Sequence, residues 1–538
     1  MPTSRTELFN ATDYLVHRRV AAGDGARTAL RYPGGQLSYA ELADQVHAVA
    51  AGLAAIGVRP EERVMFYAAD GPELFAGILG AMQLGAVAVP VSTMLTADDL
   101  AGLVVDARAR VLVTSAEFVA NARASVAELA GRSPAGADLT TVLTIGCPAD
   151  GFAVPALAWP DLLAGAAGRM ATYPSWPDSP ALWLYTSGTT GSPKAAMHRH
   201  GSIRFVCETY GQGVLGIGPE DRCLSVAKLF FAYGIGNSMF FPLSVGACAV
   251  LQPARPTPEL FAGLAREHRP TLFFGVPTFY SSLLASSVPA EAFGTVRHGV
   301  SAGEPLPASL FTRIRDRFGF EVLDGIGSTE ALHIFVSNYP NAIHPGSSGH
   351  PVPGYQVELR DESSGTVITE PNRPGALYVS GESIATGYWC RTEVTRRAFQ
   401  GEWLRTGDTY LRNADQTYSY LGRTDDMIKA GGIWVSPTEV EARLLEHPDV
   451  VEVAVVGRPD QDGLDKPVAA VVLRPGATLE EADLVEFCRA GLAAFKRPRR
   501  VVVVAELPRT ATGKLQRFLV RELVDSPMHS GRPEGVVS

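Results

Sequence analysis

Strand-like and helix-like segments alternate along residues 37–113, and this alternation limits the folds that the chain can adopt. In chain order the segments are a helix around Leu42, Val46 and Val49, a strand at residues 64–67, a helix from Pro72, a strand at residues 86–89, a helix from Ala97 and a strand at residues 111–113. Strands joined through helices lie parallel in a sheet that the helices cover on both faces. The sequence therefore predicts an α/β protein.

The rest of the chain divides into stretches of different pattern. Residues 221–322 repeat the α/β alternation, with strands at residues 271–275 and 297–301. Residues 347–421 contain shorter strands between Gly/Pro turns, and residues 436–504 have an α+β pattern. A chain of 538 residues exceeds a single hydrophobic core. We expect a large multi-subdomain N-terminal domain, with two α/β sheets and a small β-rich subdomain, followed by a small α+β C-terminal domain.

Charge and cysteine spacing argue against several classes of function. The formal net charge is −9, whereas a general nucleic-acid binder presents a basic face. The six cysteines lie far apart without a C-x-x-C pair, a spacing that offers neither a zinc site nor a disulfide framework. This spacing suits a reducing compartment, and we expect a cytoplasmic protein.

No segment is predicted to enter a membrane. Residues 1–19 have no apolar core of signal-peptide length. Residues 74–91 contain only Gln83 as a clearly polar residue, but glycines interrupt this run and Pro90 ends it. We therefore expect a buried helix that leads into a strand rather than a membrane span.

Residues 182–194 join an apolar strand to a loop of Ser, Thr, Gly and Pro that ends in Lys194. Gly188 and Gly191 permit tight backbone conformations, so several N–H groups and hydroxyls can face one point. Phosphate oxygens suit such a site, and the lysine adds a positive charge. A plain surface turn is the other interpretation. The P-loop is excluded, because two residues separate the glycines and Lys194 lies three residues after Gly191.

Later stretches also carry residues suited to binding a nucleotide or an acid. Residues 227–237 place large rings beside glycines, which can form one wall of a flat apolar pocket or pack in the core. Residues 302–307 follow a strand at the end where α/β sheets bind ligands. Residues 321–330 lead from a strand into a glycine-rich turn, where Thr329 offers a hydroxyl to phosphate. Glu330 offers Mg²⁺ an oxygen ligand, or else caps a helix.

Charged residues near the other motifs have competing interpretations. Asp408 follows a strand and can bind both ribose hydroxyls. Lys514 lies on a flexible loop near the end of the chain, where most lysines are solvated surface charges. We expect His198 and His200, which follow the Ser/Thr/Gly loop, at solvated positions where a helix begins.

Five stretches together resemble the adenylate-forming superfamily of acyl-CoA synthetases, peptide-synthetase adenylation domains and luciferases. They are residues 186–194, 325–330, 405–408, 422–432 and 508–514, in the order and spacing of that family. The likeness covers nearly the whole chain. Residues 228–234, 325–330 and 333–335 are similar to benzoate-CoA ligases and related aryl-CoA ligases.

The resemblance implies a role for each matched residue. By this likeness, the ATP phosphates contact Thr186, Ser187, Gly188, Thr189, Thr190, Gly191 and Lys194, the adenine contacts Ala302, Gly303, Glu304, Asp324, Gly325 and Ile326, the ribose contacts Asp408 and Arg423, and the aromatic acid contacts Phe231, Ala232, Tyr233, Gly327 and His333. It also makes Thr329, Glu330 and Lys514 catalytic, with Glu330 as the Mg²⁺ ligand. Many relatives stack an aromatic ring on adenine where this chain has Ile326, so apolar contact remains but stacking is reduced.

The resemblance further implies a two-step reaction and a mobile C-terminal domain. The domains would span residues 1–424 and 425–538, with Asp425 as the hinge. A carboxylate would react with MgATP to give an acyl-adenylate, and coenzyme A would then displace AMP along a path beside Gly431 and Gly432.

Two rivals remain at this point. An adenylation enzyme could load an aryl acid onto a carrier-protein thiol, although the sequence contains no appended carrier domain. A non-catalytic nucleotide-binding or scaffold protein would be expected to lack Lys514, Asp408 or Glu330, and all three are present. The sequence therefore favours an aryl-CoA ligase.

Overall fold

The computed structural model describes residues 7–129, 138–165, 168–187, 193–430, 433–460, 465–509 and 515–525. The chain divides into two compact units, which are described separately. The first comprises Met1–Val357 and Val379–Leu404, and the second comprises Glu358–Tyr378 and Arg405–Ser538. The predicted domain boundary after residue 424 stays a prediction.

The strands are, in chain order, β1 Thr28–Tyr32, β2 Gly35–Ser38, β3 Arg63–Tyr67, β4 Val87–Pro90, β5 Ala109–Ser115, β6 Thr141–Ile145, β7 Ala156–Ala158, β8 Pro180–Ser187, β9 Pro193–Arg199, β10 Arg222–Ser225, β11 Cys248–Val250, β12 Leu272–Gly275, β13 His298–Ser301, β14 Glu321–Gly327, β15 Ile334–Ser337, β16 His350–Pro351, β17 Gln356–Arg360, β18 Gly375–Ser380, β19 Phe399–Gln400, β20 Trp403–Arg412, β21 Tyr418–Arg423, β22 Ile428–Ala430, β23 Ile433–Val435, β24 Val450–Pro459, β25 Asp465–Leu473 and β26 Arg500–Val503.

The α-helices are α1 Arg18–Ala21, α2 Tyr39–Ala55, α3 Pro72–Gln83, α4 Ala97–Ala107, α5 Val119–Leu129, α6 Trp159–Ala164, α7 His200–Val206, α8 Ala232–Ile235, α9 Phe241–Val245, α10 Pro258–His268, α11 Pro277–Ala285, α12 Ala308–Phe318, α13 Thr392–Ala398, α14 Pro437–Leu445, α15 Glu481–Arg489 and α16 Arg517–Asp525.

A seven-stranded sheet confirms the first predicted α/β stretch. Its strand order is β7-β6-β5-β3-β4-β8-β9, and its strands pair in parallel except for the antiparallel pair β8–β9. Helix α3 is buried from Leu74 to Gln83 and leads into β4, as the sequence predicts. Among the residues that the structure describes, no helix is both long enough and apolar enough to cross a membrane.

A nine-stranded sheet forms the second α/β layer, in the order β16-β15-β14-β13-β12-β10-β11-β1-β2. Strands β14 to β1 in this order pair in parallel, and antiparallel strands lie at both edges. The N-terminal strand β1 joins this sheet by pairing with β11, with Leu30 opposite Ala249. A core of Phe261, Phe273 and Phe293 lies among its helices.

Strand β14 corrects one sequence prediction. We expected a glycine-rich turn at residues 325–327, but β14 continues to Gly327 and pairs with β15, with Gly325 opposite Ser337. A Cβ atom at Gly325 would lie 2.7 Å from the carbonyl oxygen of Val336, so the missing side chain allows the two strands to approach. These glycines therefore serve strand pairing rather than a turn.

Smaller sheets follow. A five-stranded sheet has the order β17-β18-β20-β19, with β21 paired to β20, and confirms the predicted β-rich subdomain. Strands β24, β25 and β26 form a three-stranded sheet, whose core includes Leu444 and Leu484 from α14 and α15. Helix α14 begins as predicted, because the Ser436 hydroxyl accepts a hydrogen bond from Glu439 N and Pro437 occupies the first turn. All six cysteines are free thiols.

Candidate active site

The Ser/Thr/Gly loop connects two antiparallel strands of the seven-stranded sheet. Strand β8 ends at Ser187 and β9 begins at Pro193, with Thr186 opposite Lys194. We predicted Lys194 at the end of a loop, but it lies on a strand. Antiparallel pairing thus fixes the lysine beside Thr186, one residue from the paired strand ends Ser187 and Pro193. The other predicted phosphate contacts, Gly188, Thr189, Thr190 and Gly191, lie outside the described residues.

Two histidines that follow this hairpin are buried, so the expectation of solvated positions was wrong. The His198 side chain points from β9 to the Thr329 carbonyl oxygen, 2.8 Å from Nε2. Because a carbonyl only accepts, Nε2 carries the proton, and burial lowers the pKa of His198 to about 4. His200 Nδ1 accepts a hydrogen bond from Ala11 N at 3.0 Å. His198 therefore joins the hairpin to the Thr329 turn as a neutral donor.

Glu330 and Lys194 both contact the side chain of Tyr388. The Tyr388 hydroxyl donates a hydrogen bond of 2.6 Å to Glu330 Oε1. The Lys194 ammonium lies 4.5 Å from the centroid of the same ring. Tyr388 is only 6% exposed, and Ala385 N donates to the Glu330 carbonyl at 2.8 Å. The structure thus brings a predicted phosphate-binding lysine and a predicted Mg²⁺ ligand to one aromatic side chain.

The predicted adenine-binding residues lie at the ends of adjacent parallel strands. Ser301 of β13 is opposite Asp324 of β14, so residues 302–304 and 324–326 are neighbours. The Glu304 carboxylate accepts hydrogen bonds of 2.9 and 2.8 Å from the Thr278 hydroxyl. Burial raises the pKa of Asp324 well above its usual value, which favours a neutral carboxyl group.

The two predicted ribose contacts face each other in the second unit. Asp408 of β20 is opposite Arg423 of β21. Arg423 Nη1 donates to Asp408 Oδ1 at 2.9 Å and to the Thr406 carbonyl at 3.1 Å. Gly407 has a φ of +77°, and a Cβ there would lie 2.6 Å from Arg423 Nη2. A glycine at this position therefore both suits the backbone and makes room for the arginine.

The predicted aryl wall is fixed to the nine-stranded sheet. Phe231 precedes the short helix α8, in which Ala232 is buried. The Tyr233 hydroxyl lies 3.1 Å from the Gly275 carbonyl of β12 and 3.2 Å from the Val300 carbonyl of β13. Strand β13 thus leads into the predicted adenine segment and also anchors the predicted aryl wall.

His333 lies behind this wall, surrounded by rings. Its ring centroid is 5.5 Å from that of Tyr233, 5.2 Å from that of Tyr210 and 4.5 Å from that of Phe241. Its Nε2 is 3.1 Å from Asn237 Oδ1, which accepts the hydrogen bond. Burial lowers the pKa of His333 to about 3, so the ring is neutral.

The backbone around Gly327 leaves no room for a side chain at that position. A Cβ at Gly327 would lie 2.5 Å from the His333 carbonyl oxygen and 2.8 Å from Ile334 N. The space that a side chain would need is filled by the backbone of the returning chain. Gly236 has a similar function, because a Cβ there would lie 2.3 Å from His333 Cδ2. Glycine at both positions permits His333 to pack closely.

Several predicted residues lie beyond what the structure describes. Lys514, Gly431 and Gly432 are outside the described residues. Asp425 lies in a 3-10 turn, Thr424–Asp426. Within the described ranges, no group of three or more His, Cys, Asp or Glu side chains is arranged to hold a metal ion. Mg²⁺ binding at Glu330 stays a prediction.

Sequence reasoning missed Tyr388 and Asn237. Tyr388 lies between Gly387 and Trp389 in a stretch that the sequence identifies only as short strands and turns. No spacing rule connects it to Glu330, since 58 residues separate them. Asn237 was noted only as the end of the aromatic stretch. The available signal was its position four residues after Tyr233, on one face of a helix.

Comparison with known proteins identifies the family of this arrangement. The sequence model of the AMP-binding enzyme family matches residues 17–389. The chain belongs to the AMP-binding enzyme family. The family's C-terminal domain matches residues 439–514, which confirms the resemblance drawn from the motifs.

Relatives within the AMP-binding enzyme family are similar over nearly the whole chain. A benzoate–CoA ligase of Thauera aromatica is 43% identical over 520 residues, which are 96% of this chain and 96% of that protein. A 4-hydroxybenzoate–CoA/benzoate–CoA ligase of Rhodopseudomonas palustris is 42% identical, covering 96% of this chain and 94% of the relative. The crystal structure of the anthranilate CoA ligase AuaEII with anthranoyl-AMP has a TM-score of 0.89 and 37% identity, covering 96% of this chain and 97% of that one. The predicted fold class is thereby confirmed.

Proposed function

We propose that the chain is an AMP-forming aryl-CoA ligase, whose substrate is benzoate or a simply substituted benzoate. The aromatic wall around Tyr233 carries this proposal, because strand β13 anchors it and also leads into the adenine segment. A flat acid held there lies beside the nucleotide. The names of the most similar relatives support the same substrate class.

The first half-reaction joins the acid to the α-phosphate of MgATP. A carboxylate oxygen forms a bond to the α-phosphorus while the bond to the pyrophosphate oxygen breaks, giving acyl-AMP and pyrophosphate. No protein nucleophile is needed, since the protein positions two anions and neutralises their charge. Mg²⁺ enters with ATP, and Glu330 offers it a carboxylate oxygen. Lys194 contributes positive charge beside the hairpin loop.

Other residues hold the nucleotide in place. Asp408, whose Oδ1 accepts a hydrogen bond from Arg423 Nη1 at 2.9 Å, would accept hydrogen bonds from the ribose hydroxyls. The buried Asp324 carboxyl group offers a hydrogen-bond acceptor to an adenine edge, and burial raises its pKa, which favours the protonated form. Ile326 offers apolar contact to the base.

The second half-reaction transfers the acyl group to coenzyme A. The thiol sulfur forms a bond to the acyl carbon, the bond to the AMP oxygen breaks, and the thiol proton passes to solvent or phosphate. We assign Lys514 to the first half-reaction, Asp425 to the hinge between the two, and Gly431 and Gly432 to the pantetheine path. A carrier-protein thiol is the alternative acceptor, and nothing in the described residues favours it.

A panel of acids tests this function. Pyrophosphate release should be fastest with benzoate and its small ring-substituted forms, and thioester should appear with coenzyme A. Octanoate and palmitate should be poor substrates, because an aromatic wall obstructs a long chain. A higher kcat/KM for octanoate than for benzoate would refute the assignment. Turnover with a carrier protein but not with coenzyme A would favour the alternative acceptor.

Replacing Ala232 by leucine is expected to narrow the aryl pocket. Ala232 is buried at the start of α8, beside Tyr233, so three added carbons must take space from the substrate or the wall. We expect KM for 4-substituted benzoates to rise about tenfold or more, and KM for benzoate to rise less. Ala54→Leu, which adds the same three carbons at a half-buried position of helix α2, is the control. Equal effects on all acids would contradict a pocket role for Ala232.

Replacing Asp425 by proline is expected to separate the two half-reactions. Proline fixes φ near −65°, within the range of the 3-10 turn that contains Asp425. A hinge must change its backbone angles, so the variant should keep one half-reaction and lose most of the other. Pyrophosphate release and thioester formation from presynthesised benzoyl-adenylate measure the halves separately. Equal loss of both would assign Asp425 to folding or direct binding instead.

A further inference from the structure

Residues 383–389 contact two segments of the candidate site that are distant in sequence. On one side, Met197 N of β9 donates to the Gly387 carbonyl at 3.0 Å, and Trp389 N donates to the Ala195 carbonyl at 3.0 Å. On the other side, the Ser383 hydroxyl donates to the Ala331 carbonyl at 2.8 Å. This short segment therefore ties the hairpin strand to the turn that carries Glu330.

Tyr388 is the residue of this segment whose side chain reaches the charged groups on both sides. Its hydroxyl donates to Glu330 Oε1 at 2.6 Å, a short distance typical of a hydrogen bond to an ionised carboxylate. Its ring face lies 4.5 Å from the Lys194 ammonium, within the range of a cation–π contact. The Ala196–Tyr388 bridge to β9 and a 6% exposed side chain hold the ring in place.

We propose that Tyr388 is a positioning residue for MgATP, which orients the Glu330 carboxylate toward the metal through its hydroxyl and supports Lys194 through its ring. Glu330 Oε1 accepts the hydrogen bond of the phenol, and the second carboxylate oxygen would hold the cation. This inference rests on the proposed function only in that Glu330 takes the Mg²⁺ of MgATP. It does not depend on which acid is activated.

Tyr388 would strengthen MgATP binding because it lowers the conformational-entropy cost of ordering the Glu330 carboxylate. A glutamate side chain that must adopt one orientation loses rotamer freedom when it binds a cation. A hydrogen bond that already fixes the carboxylate removes part of that cost, which is the usual effect of an outer-shell partner on a metal ligand. The ring contact with Lys194 is a separate interaction, so the two effects can be tested apart.

The test measures nucleotide binding by calorimetry without any acid, so that no reaction proceeds. Tyr388→Phe removes the hydroxyl and keeps the ring. We expect it to weaken binding of ATP with Mg²⁺ about tenfold, and to leave binding of ATP in excess EDTA unchanged. Tyr388→Leu removes the aromatic ring as well as the hydroxyl. We expect this variant also to weaken the binding of metal-free ATP roughly threefold.

Two controls separate positioning from a structural defect. Tyr67→Phe deletes another buried hydroxyl, which lies 3.2 Å from the carbonyls of Thr93 and Leu95, and should change neither measurement. In a Glu330→Gln background, Tyr388→Phe should have almost no further effect on MgATP binding, because its route to the metal is already lost.

Three outcomes would overturn the proposal. The first is that Tyr388→Phe weakens the binding of ATP equally with and without Mg²⁺. The second is that Tyr388→Phe leaves MgATP binding unchanged. The third is that the losses of MgATP affinity in Tyr388→Phe and Glu330→Gln multiply in the double variant. Nucleotide binding is measured without an acid, so this test does not depend on the substrate assignment. A chain specific for another acid would still lose affinity for MgATP, and not for metal-free ATP, in the Tyr388→Phe variant.

Discussion

Replacing Lys514 by alanine is expected to abolish most adenylate formation and to spare thioester formation. In the proposed reaction its ammonium approaches the acid carboxylate and the α-phosphate together, and so offsets the repulsion between two anions. Loss of one such preorganised donor commonly lowers kcat by about 10²–10³-fold, and the full charge lost here should place the effect at or above that range. Benzoate-dependent pyrophosphate release measures it.

The same variant is expected to convert presynthesised benzoyl-adenylate and coenzyme A to thioester at a rate close to that of the unmodified protein. ATP affinity should change far less than pyrophosphate release, because the lysine acts where charge develops. Lys496→Ala is the matched control in the same unit. That lysine forms a surface ion pair with Glu439 at 2.6 Å, and removing such a charge typically changes little. Equal loss of both half-reactions would remove Lys514 from this role.

The elements that the sequence predicted correctly are those whose signal is local. Helix α3 and strand β4 follow from an apolar run that Pro90 ends, and helix α14 follows from the Ser436 cap and Pro437. Asp408 and Arg423 lie on the paired strands β20 and β21, with Arg423 Nη1 2.9 Å from Asp408 Oδ1, and their contact with ribose stays a prediction. Local capping and hydrophobic pattern carry such predictions because few long-range contacts compete with them.

The features that the sequence did not predict depend on distant partners. Strand β1 lies in the nine-stranded sheet because it pairs with β11, about two hundred residues later, and no local pattern contains that information. Gly325 and Gly327 suggested a turn, but their close approach to β15 makes them strand residues. We expected His198 and His200 to be solvated, because a buried neutral histidine can be recognised only when its hydrogen-bond partner is known.

In the candidate site, too, some residues could be predicted from sequence motifs and others depend on distant contacts. Resemblance supplied Glu330 and Lys194, because they lie within the matched motifs. Tyr388, which contacts both, lies outside those motifs and has no charge pattern that would identify it. A side chain that acts by holding others is visible only when the three-dimensional contacts are known.

Removing the Glu441 carboxylate is expected to destabilise the C-terminal sheet more than any surface change in that unit. Glu441 accepts hydrogen bonds from Arg517 Nη1 at 2.6 Å, from Arg517 Nη2 at 3.1 Å and from Val455 N at 2.7 Å. The side chains of the ion pair are only 12% and 17% exposed. Burial alone would lower the pKa of Arg517, but the charge of Glu441 raises it above its usual value. The arginine therefore stays charged in the folded state.

Glu441→Ala leaves the Val455 N–H without this acceptor and weakens the charge compensation of Arg517, which keeps Asp426 at 3.6 Å. The variant should therefore lose about 3 kcal/mol of unfolding free energy, at the lower end for a broken buried ion pair. Hydrogen exchange should increase in β24 and β25, whereas β3 and β5 of the seven-stranded sheet should keep their protection, since they belong to the other compact unit. Glu486→Ala is the control, because Glu486 pairs with Arg489 at an exposed position.

A double variant decides whether the cost comes from a weakly compensated charge on Arg517 or from lost packing. Glu441→Leu with Arg517→Met replaces both partners by apolar side chains of similar size, and should recover much of the stability that Glu441→Ala loses. Helix α16 begins at Arg517, three residues after Lys514, so loss of this pair should also impair the first half-reaction. If the double variant is as unstable as Glu441→Ala, the interaction stabilises the unit through its geometry, and the charge argument fails.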